Sequence, residues 1–405
     1  MTKPAQRPLI VSFLIAAFAC FALPGAAFAD CKNTESFSKW MRDFRAQARA
    51  EGISARTISS ALDNVRLDNK IIRRDRKQGF FAQSFATFSK RLATDHRIKA
   101  ARRKIDKRHR YFKSAEEKYG VPPEVITAFW ALESDFGAGM GKYSILQALA
   151  TLAYDCRRKE LFTGELLDAL RILDKGWVHP SDMIGSWAGE MGQTQFLPKH
   201  YLEHAVDFDG DGTRNLFASD ADVIGSTAAF IKHLGWRRGE PWIEEVRVPD
   251  NLPWEKADTH IKLPRSQWAE MGVRDAKGGP LKSDDLPASL LLPMGRKGPA
   301  FLAFPNFDIY TEWNNSLSYC ITAAYLATRI SGSGGPMQGR DRDIPFLPLQ
   351  EAQELQRRLK QHGYDVGKVD GVIGAKTRAA VRAMQLKFGM PADAYPTPEL
   401  LRRLR

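Results

Sequence analysis

The strongest constraint on the fold of this chain is the stretch AFWALESDFGAGMGK, residues 128–142, which places one carboxylate, Glu133, on the buried side of an otherwise apolar helix. Pro122 and Pro123 open that helix where a fixed φ and a missing N–H are harmless. At helical spacing, Ile126, Trp130 and Glu133 share one face, and Phe129 lies four residues before Glu133. Glu133 therefore projects from the apolar stripe rather than from the solvent side. Such surroundings disfavour the ionised form and raise a carboxyl pKa, as a proton donor at neutral pH requires. The competing reading is a structural carboxylate neutralised by Arg157 or another base. Helix position alone does not choose between them.

A second stretch, GSWAGEMGQTQFLPKHY at 185–201, supplies small residues and uncharged polar groups of the kind that line a carbohydrate cleft. Cleavage of a glycosidic bond usually employs two carboxyl groups. Asp135 points away from Glu133 on any continuing helix, so it is a poor partner. Glu165 and Glu190 remain as candidates, and no clear dyad emerges.

The N-terminus carries Lys3 and Arg7, an apolar run from Pro8 to Leu23, and the small-residue pair Ala27 and Ala29. This is a secretory signal over 1–29, which predicts a soluble exported, periplasmic protein. The apolar run is short for a spanning helix, and Asp30 is a poor neighbour for lipid attachment at Cys31. Mean hydropathy of −0.36 argues against a polytopic membrane protein. Removal of the signal leaves Cys31, Cys156 and Cys320, enough for one bridge and one thiol. All three pairings are open, with Cys31 to Cys156 preferred and Cys320 read as a small buried hydrophobe. No cysteine stands near a histidine at catalytic or zinc spacing.

A net charge of +13 attracts anionic partners. The charge concentrates in RRDRK (73–77) and KAARRKIDKRHR (99–110), while Phe81, Phe85, Phe88 and Leu92 recur at helical spacing. An amphipathic helix with a solvated basic face accounts for that pattern. Export lowers the case for nucleic acid further, and a peripheral association with wall or membrane surface is the alternative use of the charge.

Along the chain, 30–119 reads as several helices with Ser54 and Asp68 as caps and Gly120 as a stop. Helical patterning continues at 145–152, 161–173 and 220–234. Between 236 and 307 it gives way to short Pro- and Gly-bounded runs, which predict strands at 242–248, 288–293 and 300–304. Helix resumes over 316–329. The expected fold is α+β, mainly helical, with a small β-containing insertion. Residues 331–347 form a Gly/Ser- and charge-rich linker. The remaining 348–405, with helices near 350–362 and 377–388, is small for an independent enzyme and reads as a binding module.

WALESDFG, YSILQALATLAYDCRR, GSWAGEMGQTQFLPKHY, AVDFDGDGTRNLF and EWNNSLSY, in that order, resemble the lytic murein transglycosylase B family from about Gly120 through Arg329. The resemblance implies a lysozyme-like catalytic domain over 30–330 and a reaction that needs one carboxyl group. Glu133 would protonate the glycosidic oxygen between N-acetylmuramic acid and N-acetylglucosamine. The carboxylate would then take the proton of the muramyl C6 hydroxyl, which closes a 1,6-anhydro ring. The tethered hydroxyl replaces a second carboxylate by proximity. The resemblance further implies that Ser186 bonds the catalytic carboxyl, that Gln195 and Asn314 hold the sugar, and that Tyr319 lines the cleft. Arg157 and Arg158 would contact the peptide stem. Trp313 stands where some members carry Tyr, which should keep sugar stacking and lose a hydroxyl.

Asp207, Asp209, Asp211 and Gly212 follow the first half of an EF-hand loop, with Thr213 offering a backbone carbonyl and Asn215 the ninth position. Ala218 at the twelfth cannot supply the bidentate carboxylate, although Asp220 stands nearby. No cofactor is required, and a weak structural calcium site is the expectation. The segment 355–390, with Asp370-Gly371, Gly374 and Thr377 at its turn, resembles the peptidoglycan-binding type 1 module. The expected protein is a monomeric lytic transglycosylase that acts on peptidoglycan glycan strands. A muramidase-type hydrolase and a non-catalytic wall-binding scaffold are the rivals.

Overall fold

The computed structural model describes residues 33, 35–76, 83–335, 337, 339 and 344–405. The signal-like segment 1–29, Cys31, Lys77 and Phe81 lie outside the described residues. The helix Pro123–Ser134 is the axis of the molecule, with every side chain from Val125 to Ala131 buried. Helices Leu317–Ser331, Asp95–Lys107, His109–Tyr119 and Asp220–His233 pack around it. A helix apolar on all sides can be stable only when enclosed in this way.

Two further helices, Ile145–Tyr154 and Lys159–Asp174, pack on each other and carry the short helix Pro198–His204. N-terminal helices Ala55–Leu62 and Asn69–Arg76 lean on this pair. Ser54 caps the first by accepting from the Thr57 N–H, and Asp68 accepts from the Lys70 N–H at the start of the second. Gly120 ends His109–Tyr119 in the left-handed region, at φ 76°, where a Cβ is disfavoured.

The helix Phe85–Leu92 has Phe85 buried against Leu317–Ser331. The basic run is less solvated than its composition suggests. Lys104 and Arg108 pair with Asp220, Arg97 pairs with Asp135, and Arg102 donates to the Arg329 and Ile330 carbonyls.

Strands β1 (Tyr143–Ser144) and β2 (Ile184–Gly185) form a two-stranded antiparallel ribbon. The insertion contributes β3 (Ile243–Arg247), β4 (Leu263–Pro264), β5 (Arg274–Asp275), β6 (Pro287–Leu291) and β7 (Ala300–Ala303). These pair antiparallel in the order β4-β6-β7-β3-β5. The sheet covers its own small core, centred on Trp268, Leu290, Leu302 and Phe304. The mainly helical α+β character expected from the sequence holds. The two-residue strands and the helix Pro305–Trp313 carry no periodicity long enough to read.

Helices Leu349–Gln361, Ala375–Lys387 and Pro398–Arg403 enclose a third core around Leu355, Leu359, Val381 and Met384. This unit is seated on the insertion. Arg382 pairs with Asp258, Arg378 donates to the Leu292 carbonyl at 2.6 Å, and Asp393 accepts from the Arg296 N–H at 3.0 Å.

Candidate active site

Glu133 lies one residue before the end of the axial helix. The helix does not continue past Ser134: Asp135 and Phe136 both take left-handed φ values, 50° and 60°. Asp135 is turned onto Arg97, so it is excluded as a partner by a change of chain direction rather than by helical phase.

The Glu133 carboxyl is gripped from the far end of the domain. The Trp313 indole N–H donates to Oε1 at 2.8 Å, and the Tyr319 hydroxyl donates to the same oxygen at 2.5 Å. Oε2 accepts no hydrogen bond from the described residues. Trp313 ends the helix Pro305–Trp313, and Tyr319 lies in the first turn of Leu317–Ser331. The loop between them thus sets both donors. Phe129, one turn before Glu133, stacks on Trp313 with ring centroids 4.2 Å apart and on Tyr310 at 4.8 Å. Phe196 and Phe230 close the cluster. Trp313 is therefore a packed donor to the carboxyl that keeps part of its surface exposed.

Burial is the largest influence on the Glu133 carboxyl and pushes its pKa up to about 7. The hydrogen bonds from Tyr319 and Trp313 favour the ionised form and hold the rise down, while nearby Glu190 adds to it. Glu133 nevertheless keeps part of its surface exposed. Desolvation also drives the Tyr319 phenol well above its usual value, so it stays a donor. A carboxyl near pKa 7 with one unbonded oxygen can give a proton and take one back at neutral pH.

Ser186 does not bond Glu133. Its hydroxyl accepts from the Ala188 and Glu190 N–H groups, both at 3.1 Å, because the 185–190 turn curls back over it. Gly141, at φ 107°, lets that turn approach: a Cβ there would lie 2.1 Å from the Gly185 carbonyl oxygen. Gln195, itself at φ 51°, donates to the carbonyls of Gly192 and Met140, which ties its turn to the loop after the axial helix. Asn314 accepts from the Ser316 N–H and shapes the loop between Trp313 and Tyr319.

Arg157 does not neutralise Glu133. With Arg158 it pairs with Asp75, which is 2% exposed, while both arginine side chains keep about a third of their surface open. Of the other carboxylates, Glu165 accepts from the Lys199 N–H at the start of Pro198–His204. Glu190, raised by burial, is held by Ser186 and the field of Arg158. Sequence reasoning missed Trp313 as a carboxyl donor, and missed Gln193, which accepts from the Trp130 indole N–H at 2.9 Å. Neither had a local signal, since the partners lie 180 and 63 residues apart.

In the aspartate loop, Asp207 accepts from the N–H groups of Gly210, Asp211 and Gly212, and Asp211 accepts from Thr213. Asp209 accepts from the Ser219 hydroxyl. One oxygen from each of the three carboxylates lies within 4.8 Å of the others. Asp220 does not complete the loop, being drawn onto Lys104 and Arg108. Buried Asp222 braces it instead, accepting from the Phe208 and Asn215 N–H groups. Cys156 is disulfide-bonded, and Cys320 is free and buried.

A helical domain that presents one desolvated carboxyl at the end of its axial helix has the make-up of an acid-base catalyst. The chain belongs to the transglycosylase SLT domain family, whose model matches residues 36–328. A peptidoglycan binding domain model matches residues 349–404. Membrane-bound lytic murein transglycosylase B of Escherichia coli K12 is 36% identical over 220 residues, 54% of this chain. That match spans only 59% of the relative's length. The crystal structure of SltB3 from Pseudomonas aeruginosa in complex with NAG-anhNAM-pentapeptide superposes with a TM-score of 0.86 at 42% identity, covering 92% of this chain and all of that one. Escherichia coli lytic transglycosylase Slt35 in complex with calcium gives 0.62 at 30% identity, covering 72% of this chain and 93% of that one.

Proposed function

We propose that this chain is an exported lytic transglycosylase that cleaves the β-1,4 bond between N-acetylmuramic acid and N-acetylglucosamine in peptidoglycan, leaving 1,6-anhydromuramyl ends. The observation that carries the reading is the Glu133 carboxyl, held near pKa 7 with both donors on one oxygen. Protonated Glu133 gives its proton to the glycosidic oxygen as that bond breaks. Trp313 and Tyr319 then stabilise the carboxylate produced. The carboxylate removes the proton of the muramyl C6 hydroxyl, whose oxygen attacks the anomeric carbon, and Glu133 returns to its starting state. The low polarity that raises the pKa of Glu133 makes it a competent acid, and the tethered nucleophile removes the need for a second carboxylate.

Ser186, Gln195 and Asn314 shape the loops around Glu133 and would meet the sugars with the groups they leave free. Arg157 and Arg158, fixed by Asp75 with about a third of each side chain open, suit the acidic peptide stem. The proposed organisation is a signal over 1–29, a catalytic domain over 30–330, a linker over 331–347 and a wall-binding module over 348–405. No helix among the described residues is long and apolar enough to cross a membrane. Cys31 is the proposed partner of Cys156.

The aspartate loop fits a hard cation, because its donors are all oxygens and three are carboxylates. Asp207, Asp209 and Asp211, with the Thr213 carbonyl, would hold calcium. The ion would rigidify the loop and takes no part in the reaction.

Digestion of purified sacculi by the mature protein and by Glu133→Gln, read by mass spectrometry, tests the proposal. Anhydromuramyl products from the wild type alone support it. Reducing ends would make the enzyme a hydrolase, with Glu190 as the second carboxylate, and binding without release would make it a scaffold.

A further inference from the structure

The helix Pro198–His204 carries His200, Glu203 and His204, and two histidines four residues apart project from one face of a helix. Together they spell H-x-x-E-H, a spacing used by zinc-dependent hydrolases of unrelated fold. One donor atom from each of the three side chains lies within 4.8 Å of the other two. The imidazole rings are nearly parallel, 22° apart with centroids separated by 6.1 Å. A third imidazole, His233 at the end of Asp220–His233, stands 4.4 Å from that of His204. Phe230 packs against His200 at 4.9 Å and His204 at 4.8 Å, and so backs both rings.

One buried atom of this cluster is left without a partner. His200 Nδ1 is buried and has no hydrogen-bond partner, a condition that costs about 1–3 kcal/mol unless a ligand meets it. An imidazole nitrogen without a proton offers its lone pair to a metal. Ligand atoms around one zinc ion stand about 3.3 Å apart, so modest side-chain rotation closes the cluster.

We propose that His200, Glu203 and His204 form a binding site for a borderline divalent transition metal, zinc being the reference ion, with His233 or water in the fourth position. Imidazole with one carboxylate selects such ions over calcium, whereas the all-oxygen loop at Asp207–Asp211 has the opposite preference. The site is separate from Glu133. Phe230 contacts both His204 and Trp313, and so stands between the metal ligands and the catalytic carboxyl's donor.

Zinc is titrated into the chelator-stripped full-length mature protein against a chromophoric competitor, with calcium in excess to occupy the aspartate loop. The expected result is one zinc per chain. His200→Gln and His204→Gln each weaken zinc binding at least about tenfold, and Asp209→Asn leaves it unchanged. Cobalt(II) absorption by the unmodified protein gives a readout that needs no variant to fold: intense visible bands report cobalt held in a four- or five-coordinate site. Absence of both zinc binding and cobalt bands at about 100 μM metal would overturn the proposal. So would zinc affinity that survives both substitutions in variants with wild-type circular dichroism.

Discussion

Replacing Trp313 by Phe isolates one of the two hydrogen bonds that set Glu133. The phenyl ring can keep the stack on Phe129, now 4.2 Å between centroids, while the indole N–H that donates at 2.8 Å is lost. A hydrogen bond to an ionised acceptor contributes about 1.5–3 kcal/mol, and one pKa unit corresponds to about 1.4 kcal/mol. The lost bond stabilises only the carboxylate, so the Glu133 pKa must rise. Full loss would be worth about one to two units; Tyr319 still donates and water replaces part of the bond, so about one unit is expected. Cleavage begins from protonated Glu133, so the basic limb of kcat/KM, near pH 7 in the wild type, should move to about pH 8. The assay is the initial rate of anhydromuropeptide release from sacculi between about pH 5 and about pH 9. A limb that stays in place, or moves down, would refute the assignment of Trp313 as a carboxylate donor.

Three further outcomes follow from the same structure. The Glu133 pKa is raised from 4.5 to about 7 on folding, so the folded state binds the proton more tightly and its stability falls as pH rises across that window. Glu133→Gln should therefore raise unfolding free energy by about 3 kcal/mol more at pH 8 than at pH 4.5, and equal shifts of the urea midpoint at both would sink the argument. Asp75→Asn leaves Arg157 and Arg158 without their buried counter-charge and should cost about 3 kcal/mol in chemical denaturation, with less than about 1 kcal/mol counting against a structural role. Calcium at about a hundred times its Kd should stabilise the wild type by about 2.7 kcal/mol, seen as a higher melting temperature that Asp209→Asn abolishes.

Much of this protein is written locally. The run 123–134 requires an enclosed helix because past Glu124 it is apolar on nearly every side, and Glu133 is conspicuous as the carboxylate on that surface. Ser54, Asp68 and Gly120 act where their backbone chemistry says they should, since capping and left-handed turns depend on residues within one turn. The aspartate loop is equally local: Asp207, Asp211 and Asn215 bond backbone groups two to five residues away.

What the tertiary structure decided is the environment of the carboxyl. Trp313 and Tyr319 reach Glu133 from 180 and 186 residues away, and no periodicity encodes which oxygen they meet. It also decided where the polar groups went: Arg157 and Arg158 to Asp75, Asp220 to Lys104 and Arg108, Ser186 to its own turn. Sequence spacing determines which side of a helix a group leaves from. Whether water is present there, and which partner arrives first, is set by the packing of distant segments, and those two quantities fix a pKa.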